Sequence, residues 1–207
     1  MERCRRSQLL FVCAVLLVPA FGSSQVLEFE SGGLRYQALT KDGLTVMVAP
    51  LPANVRSYSV VQVAISNGGS TPRVIRPEDF VFHPDSGVEV AALPPRTVVN
   101  SLIDRASKGD VIKLITAYEN GIYGNSQYKS TNGYEQRRQM ALAEFTSTRI
   151  KAAAAASAIA LVQTKLAPGQ STDGAVFYNL AAKAFPSGTL RVHAGDAVFE
   201  FPVLSSN

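Results

Sequence analysis

The sequence predicts a mainly β protein, a β-sandwich interrupted by a helical segment. Three observations predict it. Residues 25–93 and 166–207 carry short apolar runs separated by turn residues at roughly eight- to twelve-residue spacing, the rhythm of a sandwich. Residues 94–165 abandon that rhythm for apolar positions three and four apart, which is helical. The only cysteines, Cys4 and Cys13, fall in the first 24 residues, so the remaining chain must be held by its apolar core.

The N-terminus reads as a secretory signal over residues 1–24. Arg3, Arg5 and Arg6 precede an apolar run from Leu9 to Val18. That run is shorter than the roughly 20 apolar residues of a membrane span. Small residues in Ala20-Phe21-Gly22 predict cleavage before Ser23, with Gly22-Ser23-Ser24 and cleavage before Gln25 nearly equivalent; the alternative is an uncleaved anchor. Cys13 lies inside the apolar run after Val12, which is not the setting of a lipid-modified cysteine. The expected location is outside the cytoplasm, in the periplasm or extracellular. A cysteine-free exported chain fits a bacterial cell envelope.

The first half of the sandwich is expected over 25–93. Leu34–Thr40 and Leu44–Val48 flank Lys41-Asp42-Gly43, and two β-rich runs around Asp-Gly predict a hairpin. Pro50 and Pro52 end the second strand. Tyr58–Ser66 is rich in β-branched residues and is the candidate central strand. Asn67-Gly68-Gly69-Ser70 turns the chain. Val74-Ile75 and Phe80–Phe82 are short strands around Arg76-Pro77-Glu78-Asp79, and Asp85-Ser86-Gly87 turns into Val88–Ala91.

The helical segment is expected over 94–165. Pro94-Pro95 can open a helix, and Val98, Val99, Leu102, Ile103 and Ala106 give it an apolar stripe. Lys108-Gly109-Asp110 ends that helix and caps the next, whose stripe is Val111, Leu114, Ile115 and Tyr118. A loop from Gly121 to Gly133 follows. The last helix is expected from Tyr134 to Lys165 and carries Ala152–Ala156, which has no bulk and would let another element approach closely. Thr131 or Asn132 can cap it, with Glu135 nearby.

The second half of the sandwich is expected over 166–207. Leu166–Ser171 is a turn, Gly174–Leu180 a strand, and Thr189–Val192 and Ala197–Phe201 a closing hairpin around Ala194-Gly195-Asp196. His83 and His193, one in each half, are the only histidines. They could meet across a sheet, but two without a third ligand make a poor metal case, and no metal or cofactor is expected.

Two pieces carry a resemblance. One is Val60-Val61-Gln62-Val63-Ala64-Ile65-Ser66-Asn67 followed by Arg76-Pro77-Glu78-Asp79-Phe80-Val81-Phe82. The other is Leu166-Ala167-Pro168-Gly169-Gln170-Ser171-Thr172-Asp173-Gly174 leading into Ala175-Val176-Phe177-Tyr178. Together, over roughly 55–90 and 166–203, they resemble small bacterial exported immunoglobulin-like domains of unknown function. The resemblance implies a Greek-key sandwich and an envelope location, and no catalytic residues. The helical segment departs from that pattern and falls between its two halves.

Charge and motifs direct the functional reading. Residues 94–165 hold ten basic and five acidic residues, net +5, whereas the frame outside them and outside 1–24 holds seven and ten, net −3. A basic segment outside the cytoplasm points to an anionic envelope polymer, a lipid head group or a protein partner; export argues against nucleic acid. Four of the seven tyrosines lie between 118 and 134. The candidate ligand-binding residues are Tyr118, Tyr123, Asn125, Tyr128, Asn132, Tyr134, Arg137 and Arg138, because aromatic faces with side-chain amides suit sugar rings. No Gly-x-Ser-x-Gly, His-Glu-x-x-His or Gly-rich phosphate loop occurs, so no catalytic residue is expected. The expected function is a non-enzymatic binding or assembly protein. The alternative is an oligomeric envelope subunit packed through the Ala-rich helix.

Overall fold

The architecture follows from where turn residues allow the chain to reverse. It is seen in a computed structural model that describes residues 25–105, 136 and 148–204, except 53, 56, 181 and 183. In chain order the strands are β1 (Leu27–Ser31), β2 (Leu34–Lys41), β3 (Leu44–Pro50), β4 (Ser59–Asn67), β5 (Arg73–Ile75), β6 (Phe80–Pro84) and β7 (Val90–Ala91). Then come helices α1 (Pro95–Arg105) and α2 (Thr148–Ile159), and strands β8 (Thr164–Leu166), β9 (Ser171–Tyr178), β10 (Gly188–Ala194) and β11 (Ala197–Val203). The Asp42-Gly43 hairpin forms as expected. Both residues have positive φ, 49° and 75°, the conformation that a two-residue turn between twisted strands requires.

The protein is mainly β with antiparallel sheets. One sheet has five strands in the order β1-β2-β3-β4-β9, a second has four in the order β11-β10-β6-β7, and β5 and β8 form a ribbon. The first two share one core, consistent with a β-sandwich. Val46, Val48, Val61, Val63, Ile65 and Val176 of the five-stranded sheet meet Phe80, Phe82, Leu190, Val192, Phe199 and Phe201 of the four-stranded one. Full burial of each such side chain stabilises by about 1.5–3 kcal/mol.

The five-stranded sheet has a second buried face. There Ala49, Leu51, Val60, Ala175 and Phe177 pack with Val98 and Leu102 of α1 and with Ala156 and Ile159 of α2. The molecule is therefore layered helix, sheet, sheet. This explains why β4 and β9 are buried almost without alternation, since both of their faces are covered.

The free edges are short or guarded. On β11, Val198, Glu200 and Pro202 point outward while Phe199 and Phe201 point in. Lys41 Nζ donates to the Val198 carbonyl and lies 5.7 Å above the Phe199 ring. A proline on the edge strand, and a lysine from β2 bonded to its backbone, discourage pairing with another chain.

Three expectations are corrected. The last helix was expected to run to Lys165, but α2 ends at Ile159. Ala160 forms a parallel bridge with Ala175, and Thr164–Leu166 is β8, paired with β5. Val162 and Thr164 are β-branched, and two partner strands offer the backbone bonds that the helix would have supplied. The expected start of that helix, at Tyr134, lies outside the described residues. Strand β1 was not anticipated. It is set by Gly32 and Gly33, whose φ values of 57° and 76° turn the chain into β2. His83 and His193 do not meet: His83 faces Thr189 on β10, four residues from His193, and approaches Glu89 at 3.4 Å instead.

Asn67 locks the loops at one end of the sheet. Its Nδ2 donates to the Thr71 carbonyl at 2.9 Å and the Leu166 carbonyl at 3.1 Å, and its Oδ1 accepts from Gly69 N at 3.1 Å. Its backbone pairs with Gly169 and Gln170. Such local side-chain bonds explain a buried asparagine where a strand must stop.

The tightest approach is at Gly174. A Cβ there would lie 2.6 Å from Leu161 Cα and 2.7 Å from Leu161 N. Gly174→Ala is expected to cost about 1–3 kcal/mol, the usual range for overpacking, read as a lower urea midpoint. A wild-type midpoint would show that Leu161 does not need this contact.

Candidate functional site

The residues singled out from the sequence, Tyr118, Tyr123, Asn125, Tyr128, Asn132, Tyr134, Arg137 and Arg138, all lie outside the described residues. What is described is the base from which their segment departs and returns.

That base is the outer edge of β9. Leu93 N donates to the Phe177 carbonyl at 2.8 Å just before α1, and Leu161 N donates to the Ala175 carbonyl at 2.9 Å just after α2. The two acceptors are two residues apart on one strand, roughly 7 Å at strand rise. The chain thus leaves and re-enters the frame at one place. The bonds also occupy part of an edge that would otherwise be unpaired, and Gly174 permits the second of them.

The sheet face under the helices changes character along its strands. Nearest the helices it is apolar, with Leu51, Val60 and Phe177. The next row is Ala49, Gln62 and Ala175, then Ala38, Met47, Ala64 and Asp173, then Thr40, Thr45, Ser66 and Ser171. Residues directly opposite in register share a face, so each row is a line of side chains across the sheet. The last row consists of hydroxyls, with Thr40 and Thr45 Oγ1 atoms 2.8 Å apart and Ser171 Oγ donating to Ser66 Oγ at 3.0 Å. In the intermediate rows Gln62 and Asp173 are buried, and the Tyr36 hydroxyl donates to Gln62 Oε1 at 2.9 Å. These groups offer hydrogen bonding and one carboxylate. Among the described residues, no group of three or more His, Cys, Asp or Glu could hold a metal ion.

Sequence reading missed this polar cluster because its members are scattered over β2, β4 and β9. Only the strand register brings Tyr36, Gln62 and Asp173 to one face. The one available signal was Gln62 between the apolar pairs Val60-Val61 and Val63-Ala64, since Asp173 follows Ser171 and Thr172.

Burial acts on the phenols. The Tyr36 hydroxyl is held well above the usual tyrosine range, first by loss of solvation and then by the negative charge of Asp173. Tyr178, enclosed between the sheets, is raised by loss of solvation alone. The folded state keeps these protons where the unfolded chain releases them, at pH about 10. Stability is therefore fully present below that pH and falls as pH rises above it, because the native state binds more protons than the unfolded one. Unfolding midpoints measured between about pH 9 and 12 should decline, and the combined Tyr36→Phe, Tyr178→Phe variant should decline less steeply. An equal slope in parent and variant would assign the loss to other groups.

Compared with known proteins, the chain matches no protein-family model, no curated protein and no solved structure, so the candidate site rests on its own residues.

Proposed function

We propose that this chain is an exported, non-enzymatic binding or assembly protein of the bacterial cell envelope. The β frame serves as the platform and the segment over 94–165 as the interaction surface. The observation that carries this reading is the root of that segment. Both of its stems bond to carbonyls two residues apart on β9, so it departs from and returns to one place on the frame. Its net charge of +5 on a frame of −3 favours an anionic partner, such as a lipid head group or an acidic polymer. An immunoglobulin-like Greek-key connection of the two halves belongs to the same proposal, on the strength of the motifs that resemble such domains.

The oligomeric alternative needs a free face of small residues on α2. Ala153, Ala156 and Ala158 are buried within the chain, so these three are not available for such a contact.

Two outcomes test the proposal. The mature protein should sediment with vesicles containing anionic lipid or with cell-wall polymer. Arg137→Ala with Arg138→Ala should weaken that association several-fold, and added salt should weaken it further as surface charges are screened. Binding that is indifferent to both would exclude the basic segment as the contact. Separately, protein produced with its own N-terminus should be recovered beginning at Ser23 or Gln25 by intact mass; a full-length mass in the soluble fraction would count against export.

A further inference from the structure

The interior between the sheets contains two hydroxyls that the function proposed above does not use. Ser59 opens β4 and Tyr178 closes β9, and the two are directly opposite each other in the antiparallel register. Opposite residues project to the same face, here the one toward the four-stranded sheet, where Tyr178 belongs to the shared core. Both residues are 0% exposed. Neither Ser59 Oγ nor the Tyr178 hydroxyl meets a hydrogen-bond partner from the protein. Buried polar groups in folded proteins are as a rule satisfied by protein or by internal water.

The surroundings limit what can satisfy them. Tyr178 stands edge-on to Phe185 at 6.1 Å between centroids and tilted against Phe82 at 6.3 Å, while Phe82 and Phe185 pack edge-on at 4.9 Å. Three rings in contact make the surroundings of the Tyr178 ring apolar. The two hydroxyls are neutral and their ring neighbours carry no charge, so an ion would lose its hydration without replacement. A small neutral molecule that both donates and accepts fits these limits.

We propose that Ser59 and Tyr178 together hold one ordered internal water between the two sheets, at the end of the sandwich where β4 begins and β9 ends. The water accepts from one hydroxyl and donates to the other, and this accounts for polar side chains at positions where valine and phenylalanine would otherwise pack.

The sign of a stability change tests it. In the mature protein, Tyr178→Phe and Ser59→Ala are each expected to lower Tm by about 2–6 °C. The double variant should lose less than the sum, because the second change removes a ligand from a water already released. Magnetic relaxation dispersion of water oxygen should register one fewer long-residence water in either single variant. A Tyr178→Phe protein that melts at or above the parent temperature overturns the proposal, since it shows a hydroxyl buried bare. A lower Tm with every long-residence water retained, or fully additive losses, overturns it equally.

Discussion

Strand β9 must satisfy three neighbours at once, and the rest of the architecture depends on how it does so. On one side it pairs with β4 along its whole length. On its other side its carbonyls accept from Leu93 and Leu161. Its two faces serve different cores, with Val176 and Tyr178 turned to the second sheet and Ala175 and Phe177 turned to the helices. No residue of such a strand is free to be chosen for solubility, which is why it is buried nearly end to end. Gly174 expresses the same demand at atomic scale, because any side chain there would displace the backbone of Leu161.

This arrangement explains which parts of the fold could be read from the sequence. The β2–β3 hairpin was legible because Asp42-Gly43 is a local signal that sets its own geometry. The β10–β11 hairpin was legible for a similar reason, around Gly195-Asp196. The β-branched run of β4 identified a central strand, and both of its faces are covered. The end of α2 was not legible. Ala160 to Leu166 can continue a helix on propensity alone, and what stops it is non-local: the β9 edge accepts Leu161 and β5 accepts Thr164–Leu166. Tertiary hydrogen bonding outweighs a propensity difference of tenths of a kcal/mol per residue.

The candidate site divides along the same line. Charge segregation between segment and frame is a property of composition and was available at once. The polar rows of the five-stranded sheet were not, because Tyr36, Gln62 and Asp173 are more than a hundred residues apart at the extremes and only strand register assembles them. The hydroxyl pair of Ser59 and Tyr178 shows the same limit in the other core. Each residue looks ordinary in its own strand, and its meaning comes from the residue opposite.

The closeness of the two stems on β9 has a consequence for how the chain can change. A closed excursion costs chain entropy that grows only with the logarithm of its length, about 0.6 kcal/mol for each doubling. With the exit and the return fixed at Phe177 and Ala175, residues can be gained or lost far from the stems without altering a single strand register. The parts of the excursion that pack on the frame, α1 and α2, remain tied to it through their shared core. The tightest approach between excursion and frame is at Gly174, where a side chain would meet the backbone of Leu161.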